Sequence, residues 1–129
     1  MSKKKYTIMI VDDEPMIVAA LHDALMDDYT VITALSGEEA LAKMAEHFDL
    51  IICDMRMPGI QGYDVFKAVV AKSDLIPRIL LTGYADLEAA RAAINVGKIH
   101  RYESKPVNLA GLKKMVAAEL ARYSKLTGK

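Results

Sequence analysis

A single cysteine, Cys53, among 129 residues excludes an internal disulfide and any zinc site built from several thiolates, and it suits a reducing compartment. An excess of charge of either sign is also missing, because 17 basic and 17 acidic side chains cancel. Bulk attraction to nucleic acid is therefore not expected. Long apolar runs are absent too: Lys3-Lys4-Lys5 leads only into the short Ile8-Met9-Ile10-Val11 segment, and no stretch approaches the ~18 apolar residues of a membrane span. These absences point to a soluble, cytoplasmic protein that binds neither nucleic acid nor membrane directly.

What is present is a globular composition, 53% hydrophobic and 26% charged. Its length fits one domain over residues 1–129, with 1–5 and 124–129 expected to be flexible. Tyr6 to Val11 reads as a strand running into Asp12-Asp13-Glu14-Pro15, and Pro15 suits the first turn of a helix that carries Ile17, Leu21 and Leu25 to about Met26. Tyr29 to Ala34 is a second strand. Ser36-Gly37-Glu38-Glu39 reads as a capping box opening a second helix that ends near His47, a residue more consistent with a solvated last turn than with a metal ligand. Leu50 to Asp54 is a third strand, apolar until its final carboxylate, and Met57-Pro58-Gly59 with Gly62 forms a shaped loop after it.

A third helix carries Val65, Phe66, Val69 and Val70 to Lys72, and a fourth strand, Arg78 to Thr82, follows Pro77. Asp86 is placed to cap a small-sided fourth helix bearing Leu87, Ala90 and Ile94, with Gly97 terminating it. A short strand from His100 to Ser104 leads to Lys105-Pro106. Asn108 caps a last helix carrying Leu109, Leu112, Val116, Leu120 and Tyr123, whose polar tail from Ser124 is expected to fray. Five strands alternating with five helices predict a doubly wound α/β domain with a mostly parallel sheet. Such a sheet collects the carboxyl ends of its strands along one edge, where ligands bind.

That edge receives Asp12 and Asp13, Asp54, Thr82 and Lys105. Alone, Asp54 is more readily a turn residue than a functional one. Two carboxylates about 4 Å apart repel by roughly 4 kcal/mol at an effective dielectric near 20, so three together call for a cation. Mg²⁺ is expected, since it accepts a few carboxylates and keeps waters. Lys105 and the Thr82 hydroxyl would then meet phosphoryl oxygens, and Asp54 is the candidate nucleophile.

Taken in order, Asp12-Asp13, Asp54 with Met57-Pro58 and Gly62, Thr82-Gly83 and Lys105-Pro106 resemble the receiver domain of two-component response regulators, in its single-domain, chemotaxis-regulator-like form. The resemblance implies a flavodoxin-like (βα)5 fold with strand order 2-1-3-4-5 and a cis bond before Pro106. It implies Mg²⁺ held by Asp12, Asp13, Asp54 and the Arg56 carbonyl. Asp54 would take a phosphoryl group from a sensor histidine kinase or a phosphotransfer protein, with Thr82 and Tyr102 as switch residues. The output would be a repacked face of the fourth helix, fifth strand and fifth helix, which could also support a homodimer. Arg56 and Tyr84 occupy positions that tune dephosphorylation in the family, and their bulk predicts a slow reaction. The domain would be a phosphoacceptor that promotes its own phosphorylation and dephosphorylation rather than an enzyme acting on other substrates. Two alternatives stand beside this reading: a degenerate receiver acting as an interaction module without phosphorylation, and a dehalogenase-type phosphatase. The second normally needs an acid two residues after its nucleophile, where this chain has Arg56.

Overall fold

The structure is a computed structural model that describes residues 4–95 and 98–129, with Tyr84 described by its backbone only. Gly97, expected to end the fourth helix, and the side chain of Tyr84 lie outside the described residues. The elements are β1 (Thr7–Val11), α1 (Pro15–Leu25), β2 (Thr30–Ala34), α2 (Gly37–Ala42), β3 (Leu50–Asp54), α3 (Gly62–Lys72), β4 (Arg78–Thr82), a single 3-10 turn (Tyr84–Asp86), α4 (Leu87–Asn95), β5 (Arg101–Ser104) and α5 (Leu109–Thr127).

All strand pairs are parallel, in the order β2-β1-β3-β4-β5 expected of a flavodoxin-like sheet. Right-handed crossovers send α1 to one face and α2, α3 and α4 to the other; α5, which follows the last strand, packs beside α1, and α2 packs beside α3. With helices on both faces, the central strands must be apolar throughout. Every residue of β3 and β4 is buried, and Ile8 to Val11 of β1 are fully enclosed. The helices meet the sheet through Val18, Leu21 and Leu25, through Val65, Phe66 and Val69, and through Leu112, Val116, Leu120 and Tyr123. Val70, Ile94 and Leu109, also counted as stripe residues, are partly exposed at the margins of these faces.

The register decides the site. Val11 pairs with Cys53, so Asp12 and Asp54 follow at the same level of neighbouring strands, and Asp54 is itself paired with Leu81. Thr82 pairs with Ser104, and Lys105 follows directly. The chain leaves β1 toward β2 but leaves β3 toward β4, so the crevice between β1 and β3 is the topological switch point.

Several local expectations are corrected. The second helix stops at Ala42, not near His47, and bonds from Met44 to the Leu41 carbonyl and from Glu46 to the Lys43 carbonyl tighten the chain beyond it. Lys72 of α3 makes the early stop tolerable by donating to the carbonyls of Met44 and Glu46. His47 consequently lies outside the helix, 3.2 Å from the Asp49 carboxylate. Ser36 accepts from the Glu39 N–H at 3.0 Å, but the Glu39 carboxylate accepts from the Leu35 N–H at 2.9 Å rather than from that of the cap residue. The tail from Ser124 is helical to Thr127, with Gly128 closing it at φ 75°. Asn108 caps α5 as expected, accepting from the Gly111 N–H at 2.9 Å.

The loop after β3 is held by the Gln61 amide, which donates to the Met57 carbonyl at 2.6 Å, while Gly59 supplies a positive φ of 77°. Gly62 has a different reason to be glycine. A Cβ there would stand 2.3 Å from the Asp54 carbonyl oxygen, so only a bare Cα lets α3 start against the end of β3. Gly62→Ala should lower unfolding free energy by about 1–3 kcal/mol, the usual cost of overpacking against backbone. Urea unfolding measures it, and an unchanged midpoint would contradict the close approach.

Candidate functional site

The acids at the switch point surround one ammonium group. Lys105 Nζ lies 3.0 Å from Asp12 Oδ2, 3.2 Å from Asp54 Oδ1 and 3.8 Å from Glu14 Oε1. Lys105 is aimed there by the end of β5, where its N–H donates to the Thr82 carbonyl at 2.9 Å, and its bond to Pro106 is cis, as expected. Asp12 is fully buried. Its Oδ1 accepts from the Glu14 N–H at 2.9 Å, while Oδ2 has no hydrogen-bond partner among the described residues. That oxygen is nevertheless ion-paired with Lys105 Nζ at 3.0 Å.

Burial pushes the Asp54 carboxyl up to about 6, with the neighbouring Asp12 charge adding to the effect and Lys105 opposing it. Asp12 is raised for the same first reason, burial, against the Glu14 N–H and Lys105. Burial alone would lower Lys105, but Asp12 and Asp54 outweigh it and its pKa is raised.

Asp12, Asp13 and Asp54 each offer a carboxylate oxygen, all within 4.8 Å of one another. An all-oxygen donor set with one orphaned, buried carboxylate oxygen fits a hard divalent cation. A cavity of about 260 Å³ opens above these groups, lined by Asp13, Glu14, Asp54, Arg56, Asp86 and Lys105 among others.

The remaining expected residues are near but differently engaged. Thr82 is fully buried, and its hydroxyl lies 3.2 Å from the Gly83 carbonyl and 3.5 Å from Met55 Sδ, directed at neither Asp54 nor Lys105. Tyr102 is half-buried, with Arg91 of α4 donating to its hydroxyl at 3.4 Å. Arg56 reaches across the cavity to Asp86 in a two-pronged ion pair, 2.8 Å on each prong. Asp86 is thus not a helix cap. It sits in the 3-10 turn before α4, with its carboxylate committed to Arg56.

Three site residues escaped the sequence reading. Glu14 is visible only as the third acid of a run; Met55 and Asp86 carry no local signal, since their partners lie 27 and 30 residues away.

The sequence matches the family model described as the response regulator receiver domain over residues 8–117. The chain belongs to the response regulator receiver family. The receiver is 37% identical over 107 residues to the hydrogenase transcriptional regulatory protein HoxA of Cupriavidus necator, covering 82% of this chain and 22% of that protein. It is 34% identical over 117 residues to a probable cyclic di-GMP phosphodiesterase of Vibrio cholerae, covering 88% of this chain and 26% of the other. The receiver therefore spans about a quarter of the length of these relatives. Among solved structures, a response regulator receiver domain protein from Clostridium thermocellum superposes with a TM-score of 0.87 at 30% identity, covering 95% of this chain and all of the other. Among the described residues, no helix of the receiver is long and apolar enough to cross a membrane.

The raised Asp54 pKa has a consequence for stability. The folded state holds this proton more tightly than the unfolded chain, so stability is lost as pH rises from about 4 to about 6 and is level above. In the metal-free protein, Asp54→Asn removes that loss. It should stabilise by about 1–2 kcal/mol at pH 8 and by little at pH 3.5, read from urea unfolding in chelator at both pH values.

Proposed function

We propose that this receiver is a phosphoacceptor switch in which Asp54 takes a phosphoryl group from a sensor histidine kinase or a phosphotransfer protein. The observation that carries the reading is the convergence of Asp12, Asp13 and Asp54 with Lys105 at the switch point of the sheet. An Asp54 oxygen attacks phosphorus, the bond from phosphorus to the donor's imidazole nitrogen breaks, and its electrons stay on that nitrogen. Burial favours this attack by withholding from the carboxylate the water shell that would blunt it, while Lys105 at 3.2 Å balances the incoming charge. Asp12, Asp13, Asp54 and the Arg56 carbonyl would hold Mg²⁺. When bound, the ion neutralises the acids and binds a phosphoryl oxygen.

Lys105 and Thr82 then contact the phosphoryl oxygens. The Thr82 hydroxyl must leave Met55 and Gly83 to do so. Tyr102, loosely tied through Arg91 at 3.4 Å, can follow inward, and the face of α4, β5 and α5 repacks. That face is where an output partner or a second copy of the chain would bind. The dehalogenase-type alternative fares worse, because Arg56 stands where its acid would be and is engaged by Asp86.

The donor has a surface to dock on. A largely apolar groove of about 540 Å³, lined by Met16, Ile17, Ala20, Pro106 and Val107, adjoins the site and shares Glu14 and Lys105 with it. Met16 on its rim is 85% exposed.

Incubation with acetyl phosphate and Mg²⁺ should add one phosphoryl group to the wild type by intact mass and none to Asp54→Asn. An unmodified wild type under saturating donor would refute the reading, and label retained by the variant would move the acceptor elsewhere. Met16→Lys should leave labelling by acetyl phosphate unchanged while slowing transfer from a phosphorylated kinase domain about tenfold, the scale of one lost apolar contact of ~1.4 kcal/mol at an interface. Equal slowing with both donors would place Met16 in the chemistry instead of the docking surface.

A further inference from the structure

The ion pair between Arg56 and Asp86 joins the loop after β3 to the turn after β4. Arg56 Nε meets Asp86 Oδ2 and Nη2 meets Oδ1, both at 2.8 Å, a fork-on-fork geometry that fixes the plane of the guanidinium. Each end is anchored. Arg56 follows Met55, whose N–H donates to the Leu81 carbonyl at 2.9 Å, and the Asp86 N–H donates to the Gly83 carbonyl at 3.0 Å. Both side chains line the cavity that contains Asp54. Side-chain exposure rises from 8% at Asp54 through 16% at Asp86 to 75% at Arg56, so Arg56 is the solvent-facing member of this lining.

We propose that Asp86 is a positioning residue for the lifetime of the phosphorylated state: it holds the Arg56 guanidinium across the mouth of the cavity and restricts the approach of water to the phosphoryl group on Asp54. The inference rests on the reading of Asp54 as phosphoacceptor. In the reaction restrained, water oxygen bonds to phosphorus and the bond from phosphorus to the Asp54 oxygen breaks with its electrons on the carboxylate. The two protons of the water leave with the phosphate, one of them passing to solvent. The attacking water must come from the side of phosphorus opposite Asp54, which is the side open to the cavity mouth. A guanidinium pinned there by two parallel bonds obstructs that path. Released, it swings on a flexible stem and leaves the mouth open for part of the time.

The pair also explains why Arg56 is engaged at all in a site crowded with acids. Asp86 neutralises it locally and keeps it from competing with Lys105 for Asp12 and Asp54, which Lys105 already contacts.

The test follows decay of the phosphorylated protein by intact mass after acetyl phosphate is removed, with Mg²⁺ constant. Asp86→Asn and Asp86→Ala should decay about three- to fivefold faster than wild type, the rate equivalent of one well-formed exposed ion pair. Asp86→Glu, which keeps the charge, should recover most of the lifetime. Arg56→Ala combined with Asp86→Ala should decay no faster than Arg56→Ala alone, because the two side chains act as one device. Raising the salt to about 1 M should speed decay of the wild type but not of Asp86→Ala, since screening weakens only a pair that exists. A purely structural role for Asp86 would shift the unfolding midpoint without producing this salt signature. Wild-type or slower decay in Asp86→Ala, or additive effects in the double variant, would overturn the inference while leaving the phosphoacceptor reading intact. Failure of the wild type to take a phosphoryl group would overturn that reading and the inference with it.

Discussion

Burial of neighbouring carboxylates beside a single ammonium group is the constraint on which the rest of this molecule depends. Asp12 and Asp54 are buried within reach of the same ammonium group, and both are pushed toward their protonated forms. A flexible chain would move such groups apart. Here they cannot separate, because Val11 and Cys53 are paired in the sheet one residue before each of them. Ladder hydrogen bonds and a close-packed core hold an arrangement that electrostatics alone disfavours, and the site stores an affinity for positive charge as a result.

The two ends of the sheet treat buried polar groups differently. At the amino-terminal end, Arg78 donates to the carbonyls of Lys98, Asp74 and Ile76, and its backbone N–H donates to His100 Nδ1. Burial, with the Arg78 and Arg122 charges, lowers His100 to about 4, so it remains a neutral acceptor. Asp49 at the start of β3 accepts from the Thr7 N–H and the Tyr123 hydroxyl, tying α5 to the sheet. These groups are satisfied and act as structure. At the carboxyl-terminal end, Asp12 Oδ2 is left without a hydrogen bond and Thr82 spends its hydroxyl on a sulfur and an adjacent carbonyl. Hydrogen-bonding capacity is thus left unmet at the carboxyl-terminal end and is saturated at the other.

Around the rigid acids stands a ring of weaker contacts. Arg56 pairs with Asp86 between the loop after β3 and the turn after β4, Arg91 of α4 meets Tyr102 of β5, and the Thr82 hydroxyl meets Met55 and Gly83. Each is exposed, long or made to a poor acceptor, so each can exchange at small cost while the core stays fixed.

The sequence by itself determined the layout. Leu50–Asp54 and Arg78–Thr82 agree residue for residue with expectation, because strands buried on both faces are unbroken apolar runs bounded by turn residues. Asp12, Asp13, Asp54, Thr82 and Lys105 were legible as a group for the same reason: parallel topology delivers every strand end to one edge. The end of α2 was not legible, because alanine and leucine continue a helical pattern that Lys72, 28 residues beyond Met44, helps to replace with capped carbonyls. The persistence of α5 to Thr127 had a local sign in Gly128 that a polar tail outweighed. What only the tertiary structure decided is where the long polar side chains go. Asp86 could cap a helix or pair with Arg56, and both choices satisfy it locally. The outcome depends on where a guanidinium 30 residues away arrives, which no periodicity within either segment encodes.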